Sequence, residues 1–465
     1  MGEIMAETHI LRGGTLLADW SGAHIQPDGA VAWREGRIVA CGTRQEVEAA
    51  CPDAITHEAH GGWIAPGLIN AHHHLYSALA SGLDPGMPID GFGQRLDRLW
   101  WRLDRAHDEA SVRASVRVGA LRSVMAGCTT VVDHHASPAV LEGVLDVVAE
   151  ELEAAGLSAV LCYEASDRNG HAEALAGLRE SARFRGAVSA HSRFRGLLGL
   201  HACFTLSDAS LARAAELVCE GDVHIHVAED ALDVELCHRR NGMGPVQRLR
   251  QHGLLGPRAW IAHGVHLRRE DLEILAEQGC LLVHNPESNA NNQVGRLDLR
   301  LARASGLRVA LGTDGMSPCM AGSLRSAFLL HRSAHPCQDA GWKECEQLLD
   351  GARPTLAAIF GEPGYSALLE GAPADVIALD APFTPHVTQE SLTAHLVFGL
   401  APLRVRHTVA RGIFLLRDYH LQMQDAERIG RESQPVRNAL WSRFRATEAG
   451  TPYLGPAIGA AQEDL

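Results

Sequence analysis

Eight short apolar runs recur along the middle of this chain, each followed by a segment whose apolar residues fall at helical spacing. They lie at 67–72, 129–133, 159–163, 197–201, 223–227, 259–263, 281–284 and 308–312. Each run is nearly continuous rather than alternating, the pattern of a parallel strand covered on both faces. Between them, residues 111–126 place Val112, Val116, Leu121, Val124 and Met125 on one helical face and stop at Gly127. Residues 207–220 open on a serine cap and stop at Gly221, and 269–278 repeat the scheme before Gly279. Eight strand–helix units over roughly 300 residues predict an α/β fold, a (β/α)8 barrel of the TIM type. The absence of a repeat of roughly 20–50 residues sets a solenoid aside.

The two ends read differently. Extended runs at 8–17, 30–33 and 37–40 are punctuated by Gly and Asp-Gly, and strand character returns at 371–379 and 405–415. The economical arrangement pairs both ends, 1–64 with 366–424, in a small β-sandwich beside a barrel of residues 65–365. Residues 425–465 are a polar, Arg-rich extension, helical or irregular, that either covers the fold or makes an oligomer contact.

Composition narrows the function classes. With 46% hydrophobic and 21% charged residues among 465, the chain has material for a large core. A net charge of −14 argues against nucleic acid and anionic membrane as partners. There is no apolar window long enough to span a bilayer, and the acidic N-terminus is unlike a signal peptide. Eleven cysteines without a CxxC pair suit reduced thiols in the cytoplasm.

The chain also has 26 histidines, and their placement matters more than their number. His72 and His74 share a face at the end of the first central run, because strand residues two apart point the same way. The fifth run carries His224 and His226, the sixth ends at His263, and Asp314 follows the eighth. In a barrel all these strand ends meet at one mouth, so ligand-type side chains spread over the sequence converge on a metal site. Residue type alone leaves His224 and His226 as rivals; only His226 has a glutamate, Glu229, three positions on. Cys203 and Cys319, near the expected mouth, read as bystanders.

The runs PGLINAHHH (66–74), HVAE (226–229), AHGVHL (262–267), HNPESN (284–289), LGTDG (311–315) and GAPADVIAL (371–379) resemble the amidohydrolase superfamily. More narrowly, they resemble its mononuclear cytosine deaminase/chlorohydrolase-like group. NAHHHLYSALASG, TTVVDHHASP and HNPESNANNQVG are most similar to the SsnA-type aminohydrolases. The resemblance implies His72, His74, His226 and Asp314 as metal ligands and His263 beside the water that the metal activates. It implies Glu229 as proton shuttle to the substrate ring and His201 as a substrate contact, and leaves His73, His266 and His284 structural. His135 and Glu164, at the ends of the second and third runs, are further candidates for substrate binding.

Binuclear members of the superfamily bridge two metals with a carboxylated lysine, and the only lysine here is Lys343. One divalent ion is therefore expected, Zn2+ or Fe2+, since three histidines and a carboxylate suit neither Mg2+ nor Ca2+. The expected function is hydrolytic deamination of a small N-heterocycle such as a purine- or pyrimidine-like ring. Opening of a cyclic amide or displacement of another leaving group, as in chlorohydrolases, uses the same groups, and a non-catalytic binding barrel is the third reading. A homodimer or larger homo-oligomer is common in such families. Two departures bear on substrate: asparagines fill HNPESNANNQVG, and GMSPCM follows Asp314. Segment 81–104 holds Trp100, Trp101, Arg95, Arg98 and Arg102, to wall the site or to pack as an amphipathic helix; packing is the expectation for the tryptophans.

Overall fold

The computed structural model describes residues 7–335, 340–381, 387–399 and 404–450. The acidic start of the chain and the last part of the extension expected at 425–465, residues 451–465, lie outside them. Five strands come first: β1 (His9–Leu17), β2 (Ile25–Arg34), β3 (Arg37–Thr43), β4 (Ile55–Glu58) and β5 (Trp63–Pro66). The central series is β6 (Leu68–His73), β7 (Cys128–His135), β8 (Ser158–Tyr163), β9 (Phe194–Gly196), β10 (Leu198–Ala202), β11 (Val223–Val227), β12 (Trp260–His263), β13 (Leu281–His284) and β14 (Arg308–Leu311). Four more follow: β15 (Val376–Leu379), β16 (Val405–Ala410), β17 (Ile413–Arg417) and β18 (His420–Leu421).

The central strands form two all-parallel sheets, β6 to β9 and β10 to β14, with helices in the crossovers. Almost every residue in them is buried, which is why their sequences are continuous in apolar side chains. Two parallel bridges join the sheets, Ala165 to Leu200 and His73 to Asp314. The fourth expected run corresponds to β10, which pairs with β11; the short β9 just before it pairs with β8 in the other sheet. Gly199 allows the close packing at this junction, since a Cβ there would lie 2.1 Å from the Tyr163 carbonyl oxygen.

Strands from both chain ends interleave in one nine-stranded sheet, in which β5 lies between β1 and β15. The antiparallel register of β5 and β15, with Pro66 opposite Val376, ties this sheet to the start of the central series. No helix among the described residues is long and apolar enough to cross a membrane.

The C-terminal extension is a covering helix, Ala426–Ala446, packed on helices Trp101–Ala106 and Glu109–Met125. Its Leu440 and Phe444 are fully buried. Arg102 donates to the carbonyls of Phe444 and Thr447, at 3.1 and 2.9 Å, with its guanidinium 4.1 Å from the centre of the Phe444 ring. Trp441 Nε1 donates to the Leu79 carbonyl at 2.9 Å. Truncation of a buried Phe to Ala removes about 3–5 kcal/mol. Phe444→Ala is accordingly expected to lower unfolding free energy by about that amount in a urea titration.

Candidate metal centre and active site

The C-terminal ends of the parallel strands carry a cluster of buried imidazoles and one carboxylate. The backbone N–H groups of Thr313 and Asp314 both donate to the His72 carbonyl at 2.9 Å, which seats the loop after β14 against the end of β6. Asp314 Oδ1 then lies 3.1 Å from His72 Nε2 and 2.9 Å from His74 Nε2. From β11, His226 Nε2 comes within 3.3 Å of His74 Nε2. Donor atoms of His72, His226, His263 and Asp314 lie within 4.8 Å of one another, as do those of His72, His74, His134 and His226.

Each of four imidazoles is held by its Nδ1. His74 donates to the His134 carbonyl at 2.6 Å and His226 to the His201 carbonyl at 2.8 Å. His263 Nδ1 meets Asn289 Oδ1 at 2.8 Å, and His72 Nδ1 meets His224 Nε2 at 2.8 Å. Such partners fix ring orientation and leave Nε2 as the donor toward a metal. The backbone is also constrained here: Ala228 (φ 51°), His263 (φ 74°) and Asp314 (φ 52°) are left-handed. Such conformations cost on the order of 1–3 kcal/mol each in residues with a Cβ and cluster at functional sites.

The electrostatics suit a divalent transition ion. Burial holds His72, His134 and His226 well below the ordinary imidazole value, so their lone pairs are free. Burial raises Asp314, but hydrogen bonds from His72 and His74 outweigh it and keep the carboxyl well below its usual range. His263 Nε2 and both ring nitrogens of His134 are buried without a hydrogen-bond partner among the described residues. His74 differs: burial lowers it, but its hydrogen bond to Asp314 and the charge there outweigh that and raise it to about 9. Three lowered imidazoles, an ionised carboxylate and orphaned buried nitrogens fit a borderline cation such as Zn2+.

A cavity opens beside the cluster, lined by His74, His226, Glu229 and Asp314, by Glu164 and His201, and by Trp100 and Trp101. Glu229 Oε2 stands 3.6 Å from His263 Nε2. Burial, and then the charge of Asp314, push the Glu229 carboxyl up against the pull of His263. The two carboxylates are linked: Ser288 Oγ donates to Asp314 Oδ2 at 2.5 Å, Asn292 Nδ2 to Ser288 Oγ at 3.3 Å and to Glu229 Oε1 at 3.1 Å. Ser288, Asn289 and Asn292 all stand on the short helix Pro286–Asn292, so the asparagine-rich departure in the sequence serves three site residues at once.

Eight of the nine residues singled out from sequence (His72, His74, His201, His226, His263, Asp314, Glu164 and Glu229) gather at this cluster and cavity. His135 does not, and the expectation for it is corrected. It bonds Ser137 Oγ at 2.8 Å and packs 5.6 Å from the Tyr76 ring, off the cavity. Alternation along β7 presents its neighbour His134 to the cluster instead. His224 lies outside both four-residue groups, behind His72 and 3.7 Å from Cys162 Sγ.

The tryptophans are both packed and functional in position: Trp101 is buried, yet it and Trp100 wall the cavity. Cys203 and Cys319 do not line it. The segment Tyr163–Arg168, open in sequence to substrate binding or to a buried polar network, forms an ion network at the cavity edge, where Arg168 bridges Glu164 at 2.9 Å and Asp104 at 2.7 Å; the partner Asp104 was not foreseen. The acidic residues of RLDR and YEAS were the available signal.

Residues 63–414 match the amidohydrolase family. The chain belongs to that family. It is 29% identical over 403 residues to a 5-methylthioadenosine/S-adenosylhomocysteine deaminase of Nitratidesulfovibrio vulgaris, covering 84% of this chain and 88% of the relative. A zinc-bound adenosine deaminase from Xanthomonas campestris superposes with a TM-score of 0.79 at 20% identity, over 95% of this chain and 99% of that one. A variant of the atrazine chlorohydrolase of Arthrobacter aurescens, complexed with zinc and atraton, gives 0.77 at 22%, over 93% and 100%. At that identity the two structures share the fold, which agrees with the family the motifs pointed to.

Asn289 offers a test of the shell behind the cluster. Asn289→Leu keeps the shape and removes the acceptor of His263 Nδ1. Loss of such a partner costs about 10–100-fold. The expected result is a fall of that size in kcat with metal content, read by elemental analysis, unchanged.

Proposed function

We propose that this amidohydrolase is a metal-dependent aminohydrolase that removes an amino group from a purine- or pyrimidine-like ring as ammonia. In this reading His72, His74, His226 and Asp314 hold one divalent ion, Zn2+ or Fe2+. A divalent ion there would supply acidification of water, lowering its pKa to about 7. The observation that carries the reading is the pair of buried carboxylates facing one cavity. Asp314 is held low and Glu229 is pushed up, which divides base from acid. Asp314 takes the proton of the attacking water, and His263 orients that water. Glu229 protonates a ring nitrogen and makes the neighbouring carbon electrophilic. The proton returns through Asp314 and Glu229 to the departing amine, while Ser288 and Asn292 keep the two carboxylates in place.

Glu164 and His201, 3.7 Å apart, offer a polar edge to the ring, and Trp100 and Trp101 a flat wall. The names of the relatives favour an aminated purine as the first class to assay. The same reading takes the two parallel sheets, with their bridges His73–Asp314 and Ala165–Leu200, as one closed barrel. It takes the interleaved terminal strands as a separate β domain, 1–64 with 366–424. The unpaired cysteines suit a reducing compartment, the cytoplasm.

Metal-replete protein assayed against aminated heterocycles is expected to release ammonia; chloride release or ring opening without ammonia would turn the reading to the other branches of the family. Glu229→Gln should retain the metal and lose roughly 10²–10⁴-fold in kcat, the usual contribution of a general acid–base group. His226→Ala should lose metal as well as rate. A Glu229→Gln protein that cannot hold metal, or that turns over near the parental rate, would defeat the assignment.

A further inference from the structure

Outside the catalytic cluster, His331 and His335 meet Asp298. His331 stands in the last turns of helix Met320–Ala334 and His335 ends that helix one turn later. Their ring centres are 4.3 Å apart. Asp298 caps helix Leu299–Ala304, accepting from the N–H groups of Arg300 and Leu301 at 3.0 Å, and its Oδ1 lies 3.9 Å from His335 Nε2. One donor atom from each residue lies within 4.8 Å of the others.

The imidazoles have no other employment. His331 is 2% exposed, and neither of its ring nitrogens has a hydrogen-bond partner among the described residues; His335 Nε2 is likewise buried and unpartnered. Two neighbouring histidines held for packing alone would bond each other or a carbonyl, because a buried polar atom left unpaired is costly.

We propose that His331, His335 and Asp298 form a second metal site, for a divalent transition ion of the Zn2+ class. Two imidazoles and a carboxylate with water in the fourth position make a tetrahedral set. Bonds of about 2.0–2.1 Å bring donors to about 3.3 Å apart, so the His335–Asp298 separation closes by side-chain rotation. The carboxylate of Asp298 is 43% exposed, which admits the ion from solvent. Of the cations nearby, Arg300 faces Glu344 at 3.8 Å and Arg303 faces Glu346 at 3.9 Å, while Arg296 also acts on His331. A helix of 15 residues is about 22 Å long, so this site and the loop after β14 stand at opposite ends of one element. The ion clasps the end of that helix to the cap of helix Leu299–Ala304.

The test is equilibrium dialysis of the full chain against buffered Zn2+, and separately Co2+, with metal counted per chain. The parent should bind two ions. His335→Gln, and Asp298→Asn, which keeps the helix cap, should each lose one of them, or bind it at least tenfold more weakly, with turnover and the other ion retained. Zn2+ should also raise the melting temperature of the parent more than that of Asp298→Asn. A parent that binds one ion, still held by His335→Gln, overturns the proposal. So does a second ion kept by both variants and lost in His134→Gln, since that ion lies in the catalytic cluster. A single ion lost in His335→Gln would uphold this site and defeat the catalytic metal reading instead.

Discussion

Two N–H groups on one carbonyl oxygen organise this protein. When Thr313 and Asp314 both donate to His72, the last parallel strand is fastened to the first, and a carboxylate arrives beside two imidazoles in the same step. His73, the outward residue between them, returns the contact by donating from Nδ1 to the Asp314 carbonyl at 2.7 Å. Fold and cluster therefore share a seam: a shift in strand register there would move Asp314 off His72 and His74 together. The HHH run serves the seam with its middle residue and the cluster with its outer two.

The cluster is built against local preference. Left-handed backbone at Ala228, His263 and Asp314, and imidazoles buried with nitrogens unpaired, are features that packing alone would remove. They persist because the strands around them are buried on both faces and fix the ends rigidly. Asp314 and Glu229 show the result. Both are buried carboxylates near the same imidazoles, yet direct hydrogen bonds from His72 and His74 depress one, and desolvation governs the other.

Much of this was legible in the chain. Continuous apolar runs marked the parallel strands, and period-two spacing marked His72 and His74 as a pair. The choice of His226 over His224 rested on Glu229, and the geometry sets His224 behind His72. Where reading by spacing failed, the cause was a phase or a junction. His134 and His135 are adjacent in sequence, and only the twist and register of β7 decide which faces inward. Residues 194–196 gave no sign of a separate strand in the other sheet just before the run at 197–201, because Gly196 and Gly199 matter through what approaches them from Arg185 and Tyr163. The roles of Ser288, Asn289 and Asn292 depend on partners from three other strands, which no local pattern encodes.

The covering helix Ala426–Ala446 has a consequence for the order in which the protein is made. It braces Leu79 and Arg102, and through them the segment that carries Trp100 and Trp101 to the cavity wall. The donors from His72 to Asp314 leave the ribosome more than a hundred residues before that brace does. During synthesis the cluster residues from His72 to Asp314 are complete while the wall beside them still lacks its support. A nascent chain thus passes through an interval in which the cluster has an unbraced side, and the emergence of helix Ala426–Ala446 ends that interval.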